Sequence, residues 1–178
     1  MKNTLENLNI APRSVAISMI SPLVECTDWI VDITVDKRPF ESSAMLATAL
    51  VETILAANKQ QHLELFTGHP DLAGCEAVEG KMTEASNSEQ SRLGLFDLEP
   101  NDMELLSKLK IQYHARFGHP FIVALHRVSD LKMLFFIFKR RLNFTPLEEY
   151  TNTLAEIASV IEARTVRTFG AVVEKNTH

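Results

Sequence analysis

Three interruptions in a helix-favouring sequence carry most of its chemistry-bearing side chains. The first is Gly68-His69-Pro70-Asp71. Pro70 steers His69 away from helical backbone, so the imidazole projects from a helix end and not along a packed face. A histidine there can carry a proton near neutral pH, or it can serve as a turn residue bonded to backbone, with Asp71 capping the turn that follows. The second interruption is residues 86–90. Ser86, Glu89 and Gln90 fall three and four apart, so one side of a short helix would aim a hydroxyl, a carboxylate and a primary amide at one small polar ligand. The same spacing, Ser86-x-x-Glu89, also suits a capping box that starts a helix. The third is Phe117-Gly118-His119-Pro120 followed by the apolar run Phe121, Ile122, Val123, Ala124, Leu125. Gly118 ends a helix, Pro120 prevents its resumption, and the run reads as extended. Its backbone groups then need partners, either from a buried connector's surroundings or from a ligand with amide and carbonyl groups.

Other chemistries lack their signatures. His62, His69, His114, His119 and His126 show no HExxH spacing and no cysteine pair assists them, so no metal site is expected. There is no G-x-S-x-G elbow, no G-x-G-x-x-G and no P-loop. The net charge is -5 and the densest basic run is only Lys139-Arg140-Arg141, which argues against nucleic acid. No apolar run is long enough for a membrane span, and Glu6 sits where a signal peptide needs an apolar core, so a cytoplasmic protein is expected. Cys26 and Cys75 form no CxxC pair, which fits a reducing compartment without disulfides.

The elements that must position these residues are mostly helices. At 178 residues, 46% hydrophobic, with 6 Gly and 7 Pro, the chain fits one domain, residues 1–178, built of long regular elements. Residues 129–142 form an amphipathic helix behind a Ser129 cap. Residues 146–169 form a longer one, capped by Thr145, opened by Pro146 and stopped at Gly170. A helix from a Ser42 or Ser43 cap runs to about residue 58, and another starts at Asn101 or Asp102 and ends near Gly118. Shorter helices are expected over 12–20, 22–33 and 60–67, and only residues 121–125 look strand-like. The least regular part, residues 67–100, holds a short helix around 87–93 and much of the unusual chemistry.

Taken together, HPDLAG (residues 69–74), S-x-x-E-Q (86–90) and F-G-x-P-F (117–121), with Arg38-Pro39-Phe40 as weaker support, resemble the family of 2-oxo-4-hydroxy-4-carboxy-5-ureidoimidazoline (OHCU) decarboxylases of urate degradation. The resemblance runs from about residue 29 to residue 167. It implies an all-α, single-domain compact bundle of about eight helices with a long irregular active-site segment. It also implies a catalytic His69 partnered by Glu89, and substrate contacts from Pro70, Ser86, Gln90 and the backbone of Phe121, Ile122, Val123, Ala124 and Leu125. Arg164 fits the family's substrate arginine, with Arg167 the competitor. The resemblance allows a homodimer. Two positions depart from the family: His119 stands where Phe is common, and Cys75 where a basic or small residue is.

The implied substrate carries its own electron sink, an imine carbon beside the carbon that loses carbon dioxide. The expected reaction, OHCU to (S)-allantoin, therefore needs no cofactor and no metal. On this reading Glu89 orients the ring of His69 and Arg164 binds the ureido end. The alternatives are a hydrolase or isomerase of a ureide or hydantoin on the same pocket, and a non-catalytic helical binding protein.

Overall fold

The computed structural model describes residues 4–24, 27–74 and 83–170; Cys26 and Cys75 lie outside them. The described residues form nine α-helices and no strand: α1 Leu5–Ile10, α2 Arg13–Ile20, α3 Asp28–Val35, α4 Ser43–Leu55, α5 Lys59–Thr67, α6 Glu84–Arg92, α7 Pro100–Phe117, α8 Leu131–Arg141 and α9 Pro146–Phe169. Local chemistry accounts for most boundaries. Ser42 accepts from the Met45 amide to open α4. Asn58 and Gln61 form a capping box on α5, and Thr145 and Glu148 form one on α9, where Pro146 takes the first turn. Gly118 closes α7 in the left-handed region at φ 78°, where a Cβ would be strained.

Several expected boundaries move. Residues 22–33 are not one helix but a 3₁₀ turn, Ser21–Leu23, followed by α3. The cap of α8 is Asp130, whose carboxylate accepts from the Met133 amide; Ser129 instead donates its hydroxyl to Asp130. Helix α7 begins at Pro100, one turn position ahead of Asn101, because proline at N1 has no amide to leave unsatisfied. Helix α1, which the sequence reading does not contain, opens on Thr4. The run 121–125 forms no strand. It continues as extended backbone into a short 3₁₀ turn, Leu125–Arg127.

That extended run divides two apolar cores. Ile122 packs into the first core with residues of α1 to α5 and α9, including Leu46, Leu50, Phe66, Ile157 and Ile161. Phe121, Val123 and Leu125 point the other way into a second core with Leu106, Leu109 and Tyr113 of α7 and Leu134 and Phe138 of α8. Alternation along extended backbone is what lets one segment serve both. Side chains satisfy much of its backbone: Arg141 donates to the Ile122 carbonyl at 2.6 Å, Glu156 accepts from the Ala124 amide at 2.7 Å, and Arg92 donates to the Leu125 and Val128 carbonyls. Arg38 of the Arg-Pro-Phe stretch is also structural. Its guanidinium donates to the Leu8, Ala11 and Val35 carbonyls at 2.8 Å, tying α1 and its C-cap to the end of α3. No helix among the described residues is long and apolar enough to cross a membrane.

Candidate active site

The three interruptions meet in one cleft. It is lined by His69, Pro70, Ser86, Glu89, Gln90, Phe121, Ile122, Val123, Leu125 and Arg164, together with Leu72 and Val160. These residues come from the end of α5, from α6, from the extended run and from α9, separated by up to about a hundred positions in the chain. Of the residues to which the resemblance gives catalysis or substrate contact, Ala124 stays out of the lining, with its amide taken by Glu156, and so does Arg167, the competitor of Arg164.

His69 follows the C-terminus of α5, and its Nδ1 meets the Leu65 carbonyl at 2.7 Å. A carbonyl can only accept, so Nδ1 carries the proton and, in the neutral ring, Nε2 is the basic nitrogen. The Leu65 carbonyl thus holds the ring, while the hydrogen bonds of Glu89, expected to orient His69, run to Arg164 and Arg167. The turn reading and the proton-carrier reading turn out to be compatible: the backbone bond is what sets the tautomer.

The loop after His69 is held from two sides. Gln90 Oε1 accepts from the Ala73 amide at 2.8 Å, which secures a residue with φ of 49°. Lys110 of α7 donates to the Leu72 carbonyl at 3.0 Å and pairs with Asp71 at 3.2 Å, so Asp71 binds a helix instead of capping a turn. Lys110 carried no local signal in the sequence.

Helix α6 begins earlier than residue 87. Its cap is Thr83, which accepts from the Ser86 amide, so Ser86-x-x-Glu89 is not a capping box. Ser86 and Glu89 lie within the helix and face α9. Arg164 donates to Ser86 Oγ and to Glu89 Oε2, both at 3.0 Å, while Arg167 donates to Glu89 Oε1 at 3.0 Å. Glu89 and Arg164 are nearly buried, with side chains 11% and 4% exposed, whereas Arg167 is 51% exposed. This separates the two arginines: Arg164 lines the cleft and Arg167 braces Glu89 from outside. Glu89 thus meets two guanidinium groups, one on each carboxylate oxygen.

The extended run supplies the remaining wall. The Ile122 and Leu125 carbonyls are already bonded to arginines. Among the described residues no hydrogen bond reaches the amide or carbonyl of Val123, which is 9% exposed and borders the cleft. A nearly buried peptide group of that kind is a donor and acceptor ready for a ligand. Among the described residues no group of three or more His, Cys, Asp or Glu could hold a metal ion.

Comparison with known proteins bears on this geometry. Residues 9–166 match the family model described as OHCU decarboxylase. The chain is 36% identical over 121 residues to the 2-oxo-4-hydroxy-4-carboxy-5-ureidoimidazoline decarboxylase of Halalkalicoccus jeotgali, covering 68% of this chain and 66% of that protein. It is 32% identical over 150 residues to the Mus musculus protein of the same name, covering 84% and 80%. Among solved structures, (S)-allantoin synthase superposes with a TM-score of 0.74 at 20% identity, covering 93% of this chain and 53% of that one. OHCU decarboxylase in the presence of (S)-allantoin superposes with a TM-score of 0.65 at 17% identity, covering 83% and 94%. At those identities the solved structures bear on the fold alone.

Proposed function

The chain belongs to the OHCU decarboxylase family, a family of carboxy-lyases in urate degradation, and we propose that its cleft converts OHCU to (S)-allantoin with His69 moving the proton. The observation that carries this is the Nδ1 bond of His69 to the Leu65 carbonyl, because it leaves a basic nitrogen on a ring that borders the same cleft as Arg164 and Val123. Nε2 takes the proton of the substrate hydroxyl. As carbon dioxide leaves, the electrons of the broken carbon–carbon bond move into the neighbouring imine, whose nitrogen takes a proton from solvent. The resulting enolate becomes a ketone when the imidazolium returns its proton to the adjoining ring carbon on one face. The balance is one proton taken up and one carbon dioxide released, with no external electron sink required.

Arg164 binds the ureido carbonyl. A permanent pairing with the leaving carboxylate would stabilise the ground state and slow its loss, so the ureido end is the better use of this guanidinium. The cleft encloses only about 50 Å³, far less than a typical ligand pocket of ~300 Å³ or more. Entry of substrate therefore exchanges one of Arg164's bonds to Ser86 or Glu89 for a bond to the ligand. Glu89 is assigned the task of holding Arg164, with Arg167 balancing its charge; Gln90 and Pro70 shape the loop wall, and the Val123 peptide pairs with an amide edge of the ring. A cytoplasmic location, assembly as a homodimer and the lack of nucleic-acid or membrane partners belong to the same proposal, and the net charge of -5 supports only the lack of a nucleic-acid partner.

The test is to generate OHCU in situ from urate with urate oxidase and hydroxyisourate hydrolase, and to follow the circular dichroism of the allantoin formed. Rapid appearance of one enantiomer, lost by a factor of about 10² or more in His69→Ala and His69→Asn while the helical spectrum is retained, is the expected result. Racemic product at the rate of the protein-free control would overturn the proposal. Ring opening without carbon dioxide release would point instead to the hydrolase alternative.

A further inference from the structure

A cavity much larger than the cleft just described lies elsewhere among the described residues. It encloses about 750 Å³ between one face of α5, the C-terminal end of α7 and the first turn of α9, and shares no lining residue with the decarboxylation cleft. Its apolar floor is aromatic: the rings of Phe66 and His119 lie 5.0 Å apart, those of Phe66 and Tyr150 5.6 Å, and those of Phe117 and His119 6.5 Å. Two cations, Lys59 and Arg116, line it, and no carboxylate does.

His119 gives the cavity its chemical character. The residue is 5% exposed and lines the cavity, and its Nδ1 donates to the Pro120 carbonyl at 2.8 Å. By the same reasoning as for His69, Nε2 is then the unprotonated acceptor, and no described residue hydrogen-bonds to it. Burial lowers the pKa of this ring and keeps it neutral. Nε2 is not among the fully buried atoms that lack a partner, so it stays accessible to a donor in the cavity. The Tyr150 hydroxyl cannot be that donor, since it is already bonded to His62 Nδ1. Arg116 spends one amino group on the Phe144 carbonyl at 2.9 Å and stacks over Phe117 at 5.4 Å, which leaves further N–H groups on its fork.

We propose that this cavity is a second ligand site, for a flat organic acid bearing one O–H or N–H donor. The ring of the ligand stacks among Phe66, Phe117 and Tyr150, its donor meets His119 Nε2, and its acidic group meets Lys59 and Arg116. Stacking uses the aromatic floor, the donor meets the acceptor nitrogen of His119, and the charge answers two cations without a counter-ion in the lining.

The probe is 4-hydroxybenzoate titrated into the full chain by calorimetry, with NMR of the same samples to locate the site. Binding is expected with shifts at Leu63, Phe117 and Leu147, and benzoate, which lacks the donor, should bind at least about 5-fold more weakly. In His119→Phe, which keeps an aromatic ring at the position, the preference for the hydroxylated acid should vanish while benzoate affinity stays. Lys59→Gln, at an exposed position on the first turn of α5, should weaken both acids alike. Equal affinity for the two acids, an unchanged preference in His119→Phe, or shifts confined to Val123 and Arg164 would each overturn the proposal. So would the absence of any shift at millimolar ligand. Thermal melts of both variants check that they remain folded, and Lys59→Gln keeps the test decisive if His119→Phe does not.

Discussion

Two arginine–glutamate pairs flank helix α9, and their chemistry is the same while their surroundings are opposite. Arg141 and Glu149 are both 0% exposed. Every part of that cluster is spoken for: Arg141 also donates to the Ile122 carbonyl at 2.6 Å and stacks over Phe121 at 4.5 Å, and Glu149 accepts from Tyr113 and Thr153. Desolvation raises the pKa of the Tyr113 phenol far above its ordinary value, so it stays a neutral donor. Arg164 and Glu89, by contrast, face a cleft, and a second arginine reaches Glu89 from its exposed side. What separates the open pair from the sealed one is not residue type but surroundings: a cleft beside it and Arg167 on its exposed side. The sealed pair fixes the extended run from one side so that the open pair can present a ligand site on the other.

That contrast can be broken most severely at Arg141. Arg141→Ala would leave Glu149 buried with hydrogen bonds but no counter-charge, a loss of about 3–5 kcal/mol, or roughly 6–20 °C in melting temperature for a chain of this size. A melt within about 2 °C of the parent protein would show that the pair is not structural. Arg164→Ala should behave in the opposite sense. Glu89 keeps Arg167 as a counter-charge, so stability should fall by less than the ~3–5 kcal/mol of a broken buried pair, while turnover falls about 100-fold and KM rises. Normal turnover and KM in that variant would remove Arg164 from the substrate-binding role. Glu89→Gln preserves an acceptor for Arg164 but not the charge. Its expected effect is about a 10-fold lower kcat, smaller than that of His69→Ala, because the assigned task is positioning. A loss as large as that of His69→Ala would return proton transfer to Glu89 and restore the paired reading.

These differences also mark where sequence reading stops. Boundaries written in adjacent residues were legible: Thr145-Pro146 at the start of α9, Ser42 before α4, Gly118 after α7. The cap of α6 was misplaced because Thr83 and Ser86 both stand at capping spacing, and only the need of Arg164 for a hydroxyl decides between them. The membership of the cleft was legible through the resemblance, Ala124 excepted. Its wiring was not: Leu65 on His69 is a backbone contact that no side-chain pattern encodes. The bonds that hold the extended run, from Arg92, Arg141 and Glu156, span 33, 19 and 32 residues. Residues 121–125 looked like a strand because extended backbone and apolar alternation are shared by strands and by segments satisfied by side chains.

The smallest expected effect concerns the other histidine. His119 does not border the decarboxylation cleft, so the departure from the family's usual Phe changes the polarity of the neighbouring cavity and not of the active site. Burial holds its folded pKa below the ordinary value, and a depressed histidine destabilises the fold at acid pH. The sign follows from proton counting. Above about pH 6.5 neither state binds the proton, and below it the unfolded state takes it up first, so stability falls as pH drops from about 6.5 toward the folded pKa. One such group contributes at most about 1.4 kcal/mol per pH unit over that window. His126, also lowered by burial, adds to the slope with the same sign. His119→Phe should therefore melt close to the parent protein at pH 8 but lose less stability between about pH 6.5 and pH 5. Parallel curves across that range would mean that His119 is charged or solvated in the folded protein, and would remove the neutral acceptor on which the second cavity's preference depends.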